Sequence, residues 1–167
     1  MADVYKQSFK QNYTNNIELS IFNCGLERCA PGQTWGPGIR DHYLIHYIVS
    51  GRGTYETAGR TFVPEAGEAF LVRPEEPVYY QADEEEPWEY YWVGFSGPSA
   101  PLLLAQTAFS GGAPVVQAGQ QLRQALRIQF ALRQVHCRLL LVHPDRVVAL
   151  VAGGAGDKRH QHAGHAG

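Results

Sequence analysis

The chain has 167 residues, 44% hydrophobic and 18% charged, with a formal charge of −2 at neutral pH. That is a globular composition, long enough for one domain with a real core. It contains no run of about 18 apolar residues, which excludes a membrane-spanning helix, and MADVYKQSFKQNYTNN has no apolar core of a secretory signal.

The chain joins two compositions near Gly97-Pro98. Residues 1–95 hold seven basic and fourteen acidic residues, whereas residues 96–167 hold seven and two, and seventeen of the nineteen aromatics precede residue 96. The first part therefore reads as the folded one. Three cysteines, Cys24, Cys29 and Cys137, make an odd count without a CxxC pair. This argues against a disulfide framework and a zinc cluster, and fits a reducing cytoplasm.

In chain order, ELSIFNCG (18–25) alternates enough for an opening strand. CAPGQTWGPGIRD (29–41) is rich in Pro and Gly and is expected to be a loop. HYLIHYIV (42–49) is a strand of β-branched and aromatic residues, followed by the turn Ser50-Gly51-Arg52-Gly53. TYETA (54–58), RTFVPE (60–65), EAFLVRP (68–74), VYYQA (78–82) and WEYYWVGF (88–95) continue the meander. The acidic DEEEP between the last two is expected to be a solvated hairpin tip.

Alternation places Trp88, Tyr90 and Trp92 on one face, with Glu89, Tyr91, Val93 and Phe95 on the other. Arg40, His42, Leu44, His46 and Ile48 likewise share a face, with His46 a core or pocket hydrogen-bonder. Parity alone does not say which face is inside. An aromatic face with hydrogen-bonding tips suits a sugar, whose C–H surface stacks on rings while polar groups take its hydroxyls. The plain alternative is that these rings are core.

Beyond the barrel, QQLRQALRIQFALRQV (120–135) reads as an amphipathic helix with Leu122, Leu126 and Phe130 on its apolar stripe. After residue 136, Pro144 interrupts the pattern and a Gly/Ala/His segment follows, expected to be a disordered tail.

The ordered motifs HYLIHYIVSGRG, AGRTFVPEAGEAFLVRP and PWEYYWVGFSG resemble the N-terminal effector-binding domain of AraC-type transcriptional regulators, over residues 17–112. The resemblance implies a mainly β fold, a cupin-like double-stranded barrel (jelly roll) followed by one or two C-terminal helices. It implies an arm (1–16) that can fold over the pocket, a barrel (17–112), the first helix of a dimerisation hairpin (113–135) and an atypical segment (136–167). It further implies a small-molecule effector, usually a sugar, and a homodimer through Leu122, Leu126 and Phe130. Tyr80 falls where a pocket tyrosine lies, Trp92 where a ring stacks on the sugar, Tyr90 in place of a pocket histidine, and Arg40 near a sugar-binding arginine. Arg40, His46, Tyr80, Trp88, Tyr90 and Trp92 are therefore the candidate ligand-binding residues. DNA binding would belong to a helix-turn-helix domain outside this sequence.

Cupin barrels also host metal enzymes, which use an HxH pair, a Glu and a later His. Here His42 and His46 stand four apart, about 13 Å along a strand. Val78-Tyr79-Tyr80 occupies the place of the later histidine. No metal, cofactor or catalytic residue is expected. A cupin-type metal-dependent enzyme and a ligand-free dimerisation module are the two alternatives.

Overall fold

A computed structural model describes residues 3–10 and 19–118. Their ten strands are β1 (Tyr5–Lys10), β2 (Ser20–Arg28), β3 (Thr34–Gly38), β4 (Tyr43–Ser50), β5 (Gly53–Thr57), β6 (Arg60–Phe62), β7 (Glu68–Val72), β8 (Val78–Ala82), β9 (Glu89–Ser96) and β10 (Val115–Gln117). They form a six-stranded sheet in the order β1-β2-β9-β4-β7-β10 and a four-stranded sheet in the order β3-β8-β5-β6. All named pairs are antiparallel. The two sheets share one core, so the fold is the expected cupin-like double-stranded barrel.

The strands follow the sequence where alternation is clean and a turn residue stops it. Ala58 and Gly59 both take positive φ (49° and 69°), the geometry a two-residue hairpin needs to join β5 to β6. Gly51, at φ 75°, ends β4, and its bare Cα lets the Glu86 and Pro87 carbonyls come close.

Three expectations need correction. The segment 29–41 is not wholly loop, because Thr34–Gly38 forms β3. It is an edge strand with an irregular register between Trp35 and Gly38, where Gly and Pro are tolerated because one side needs no partner. The acidic loop 83–87 is not a hairpin tip, since β8 and β9 lie in different sheets and the loop crosses between them. Its exposed carboxylates are held by Arg52, which pairs with Asp83 at 3.6 Å and Glu86 at 3.4 Å. Val115–Gln117, assigned to the start of the helical segment, is instead a strand on the edge of β7. Cys29 is a free, buried thiol.

The centre of the larger sheet is buried on both faces. Leu44, Ile48, Phe70, Val72, Tyr90 and Trp92 face the barrel interior. Ile21, Ile45, Leu71 and Phe95 face outward, beneath a short helix α1 (Ala100–Leu104) and a following 3-10 turn that brings Phe109 onto them. Thr107 fixes that turn, donating its hydroxyl to the Leu104 carbonyl at 2.7 Å and accepting from the Phe109 amide.

Candidate functional site

The inner face is the face of Trp88, Tyr90 and Trp92. Register sets His46 of β4 opposite Trp92 of β9, and Ile48 opposite Tyr90. The His46 ring stacks on Phe70 at 4.3 Å and meets Tyr90 edge-on at 4.7 Å and Tyr80 at 5.2 Å. It is 2% exposed. Burial, reinforced by the charges of Arg40 and Lys6, lowers its pKa to about 3, so the ring stays neutral. Above it, the Arg40 guanidinium lies 3.8 Å over the Trp35 ring, Trp35 stacks on Tyr80, and Arg40 donates to the Tyr80 hydroxyl at 3.4 Å. Desolvation raises the Tyr80 pKa, which keeps its hydroxyl a donor as well as an acceptor.

A buried carboxylate organises the side nearest the arm. Glu27 on β2 accepts from Gln33 at 2.8 Å, from the Tyr90 hydroxyl at 3.0 Å and from the Lys6 ammonium at 3.0 Å. Three donors compensate the cost of burying its charge. Burial pushes the Tyr90 phenol far up, so Tyr90 is the donor in that bond. Lys6 comes from β1, which pairs along β2, and its ammonium stands 5.3 Å from the centre of the Trp92 ring. Part of the expected arm is thus a sheet strand whose Lys6 lies over Trp92.

Four buried polar atoms have no hydrogen-bond partner among the described residues: Asn23 Oδ1, Arg40 Nε, His42 Nε2 and His46 Nδ1. Native folds leave few such atoms, and each costs about 1–3 kcal/mol unless something pairs with it. Strand alternation brings Asn23 (through its partner Gly94), His42 and His46 to the inner wall.

Of the six candidate residues, Arg40, His46, Tyr80, Tyr90 and Trp92 come together in this wall. Trp88 joins them through Tyr90, but its indole N–H is spent on the Pro64 carbonyl at 3.1 Å and its ring is fully buried, a packing geometry. Leu122, Leu126 and Phe130 lie outside the described residues. Sequence reading missed Trp35, hidden in a Gly/Pro-rich segment, and Asn23, Glu27 and Gln33, which carry no motif. His42 was placed on the face of His46 and weighed as a metal ligand, but not as a ligand-binding residue. Among the described residues no group of three His, Cys, Asp or Glu side chains could hold a metal ion, and no helix is long and apolar enough to cross a membrane.

The AraC-like ligand binding domain model matches residues 23–151. That match runs well past the 17–112 span of the motif resemblance and past residue 136, where the pattern was expected to lapse. The chain is 42% identical over 94 residues to the Msm operon regulatory protein of Streptococcus mutans, covering 56% of this chain and 34% of that protein. It is 39% identical over 90 residues to the raffinose operon transcriptional regulatory protein of Pediococcus pentosaceus, covering 53% and 32%. The chain thus spans about a third of the length of these curated relatives. Among solved structures, a Cupin 2 conserved barrel domain protein from Salinispora arenicola overlays with a TM-score of 0.44 at 20% identity, covering 55% of this chain and 74% of that one. With its family model matched over most of its length, the chain belongs to the AraC-like ligand binding domain family.

Proposed function

We propose that this chain senses a small carbohydrate and reports it to a transcriptional regulator. The observation that carries this is the set of unpartnered polar atoms, on Asn23, Arg40, His42 and His46, set among stacked aromatic rings. Rings and hydrogen-bonding groups together are what a sugar needs. Relatives named for operon regulation, one for a raffinose operon, support the same reading. It is a binding role with no catalytic step.

In this reading Trp92 stacks on the sugar, and Arg40, His46, Tyr80 and Tyr90 take its hydroxyls. Lys6 already lies over the Trp92 ring, so a sugar that stacks there displaces it and loosens β1. Effector binding then shifts the population between docked and released arm, with a coupling of about 1–3 kcal/mol. Dimerisation runs through Leu122, Leu126 and Phe130. DNA contact belongs to a separate helix-turn-helix domain of such a regulator, and a cytoplasmic location goes with that role.

The test is a tryptophan-fluorescence titration with raffinose and a panel of mono- and disaccharides, with Trp92→Phe as control. A saturable change with one sugar, lost in the control, is expected. Silence across the panel would overturn the carbohydrate reading.

A further inference from the structure

The Asn23 and His42 side chains meet over Gly94. Register sets Asn23 opposite Gly94 on the inner face of β2 and β9. A methyl at Gly94 would stand 2.6 Å from Asn23 Oδ1 and 3.0 Å from His42 Nε2. The bare glycine is therefore what lets two polar atoms close in on one spot of the wall. Both atoms are buried and lack a partner among the described residues, and the His42 residue is only 5% exposed.

Their chemistry is fixed from the other side of the imidazole. His42 Nδ1 lies 2.6 Å from the Asp41 carboxylate, and this bond holds the Asp41 carboxyl below the usual range. A carboxylate only accepts, so in the neutral ring it is Nδ1 that carries the proton and Nε2 that presents a lone pair. Phe22, stacked on the ring at 4.5 Å, keeps it in that plane. Asn23 Oδ1 is also an acceptor. Two acceptors facing one spot cannot satisfy each other, and both await protons from a third group.

We propose that Asn23 and His42 form a second subsite, at the Gly94 end of the inner wall, which takes two adjacent hydroxyls of the ligand, one O–H to each acceptor. The proposal rests on the carbohydrate reading above and adds a location and a polarity to it. The subsite selects neutral polyols, because a carboxylate or phosphate has no proton to donate there. It is separate from the Arg40–Trp35–Tyr80 stack, whose groups can donate.

The test uses the smallest vicinal diol, so that it does not wait on the identity of the sugar. Long-range proton–nitrogen spectra of the labelled full chain are recorded with ethane-1,2-diol, with ethanol and with raffinose. The His42 signals are identified by their loss in His42→Phe. The diol should move the Nε2 resonance saturably, at a midpoint about fivefold or more below that of ethanol, the difference one further neutral hydrogen bond makes. Asn23→Ala, or Asn23→Ser if the alanine variant does not fold, should raise the diol midpoint by about the same factor. An immobile Nε2 resonance, equal midpoints for ethanol and diol, or indifference to the Asn23 substitutions would overturn the proposal. An Asn23 amide turned to donate to His42 would give the first of these results. If raffinose changes Trp92 fluorescence but leaves His42 still, the subsite falls and the sensor stands. If the diol moves His42 while no sugar acts on Trp92, the carbohydrate reading falls and the subsite stands.

Discussion

Replacing His46 by phenylalanine should remove an acid-sensitive contribution to stability. The ring lies between Phe70, Tyr80 and Tyr90, shut off from solvent, with Nδ1 unpartnered among the described residues. Its pKa is lowered to about 3 by burial first, then by the charges of Arg40 and Lys6. An exposed imidazole titrates near about 6.5. On acidification the unfolded chain therefore takes a proton that the folded protein refuses. Because the folded value is the depressed one, this stability is fully present above about pH 6.5 and is lost as pH falls from there toward about 3. Going from pH 7 to pH 5 should cost the wild type about 2 kcal/mol through this group alone. Phenylalanine keeps a flat ring against Phe70 and has nothing to protonate. Urea unfolding of both proteins at the two pH values isolates the difference, whatever offset the substitution itself introduces. Equal losses in wild type and variant, or a His46 ring that titrates near its exposed value in proton–nitrogen spectra, would refute the reasoning.

Three further outcomes follow from the packing. In Gly25→Ala the new methyl would run into the Gln7 carbonyl and the Trp92 ring, and such overpacking should cost about 1–3 kcal/mol, read as a lower urea midpoint. Tyr55→Phe removes a fully buried hydroxyl that donates to the Leu71 carbonyl at 2.8 Å; a loss of about 1–2 kcal/mol is expected, measured by thermal unfolding. Lys6→Ala breaks the contacts to Glu27 and Trp92. The Lys6 side chain is 58% exposed, so solvent screening holds the global loss to under about 1 kcal/mol, while amide exchange along residues 5–10 should speed up markedly.

The strands were legible because β4, β5, β7, β8 and β9 combine β-branched and aromatic residues with glycine or proline stops, and VYYQA matches β8 residue for residue. β3 was not, because TWGPG has no alternation and owes its pairing to β8 alone. The inner face could not be chosen from parity, since β9 is apolar on both sides: Tyr90 and Trp92 pack inward, while Phe95 packs outward under α1. All six candidate residues were readable as rings and charges on alternating positions, but only the packing shows that Trp88 gives its indole N–H to the Pro64 carbonyl. Glu27 was not, because its role depends on Lys6, Gln33 and Tyr90, which are distant in sequence. Asn23 and His42 meet only because β2 and β4 flank β9 and Gly94 has no side chain. No local pattern encodes that meeting.

The larger sheet, covered on both sides at its centre, has the character of a party wall. Along β9 the same backbone carries Tyr90 and Trp92 into one room, and Val93 and Phe95 into the other. Close-packed interiors give little, so a slide or tilt of that strand cannot be absorbed within one room. The tenants next door, Leu104 of α1 and Phe109 of the 3-10 turn, must refit their side of the wall whenever the strand shifts. What happens inside the barrel is thus audible on its outer surface, with no relay beyond the strand itself.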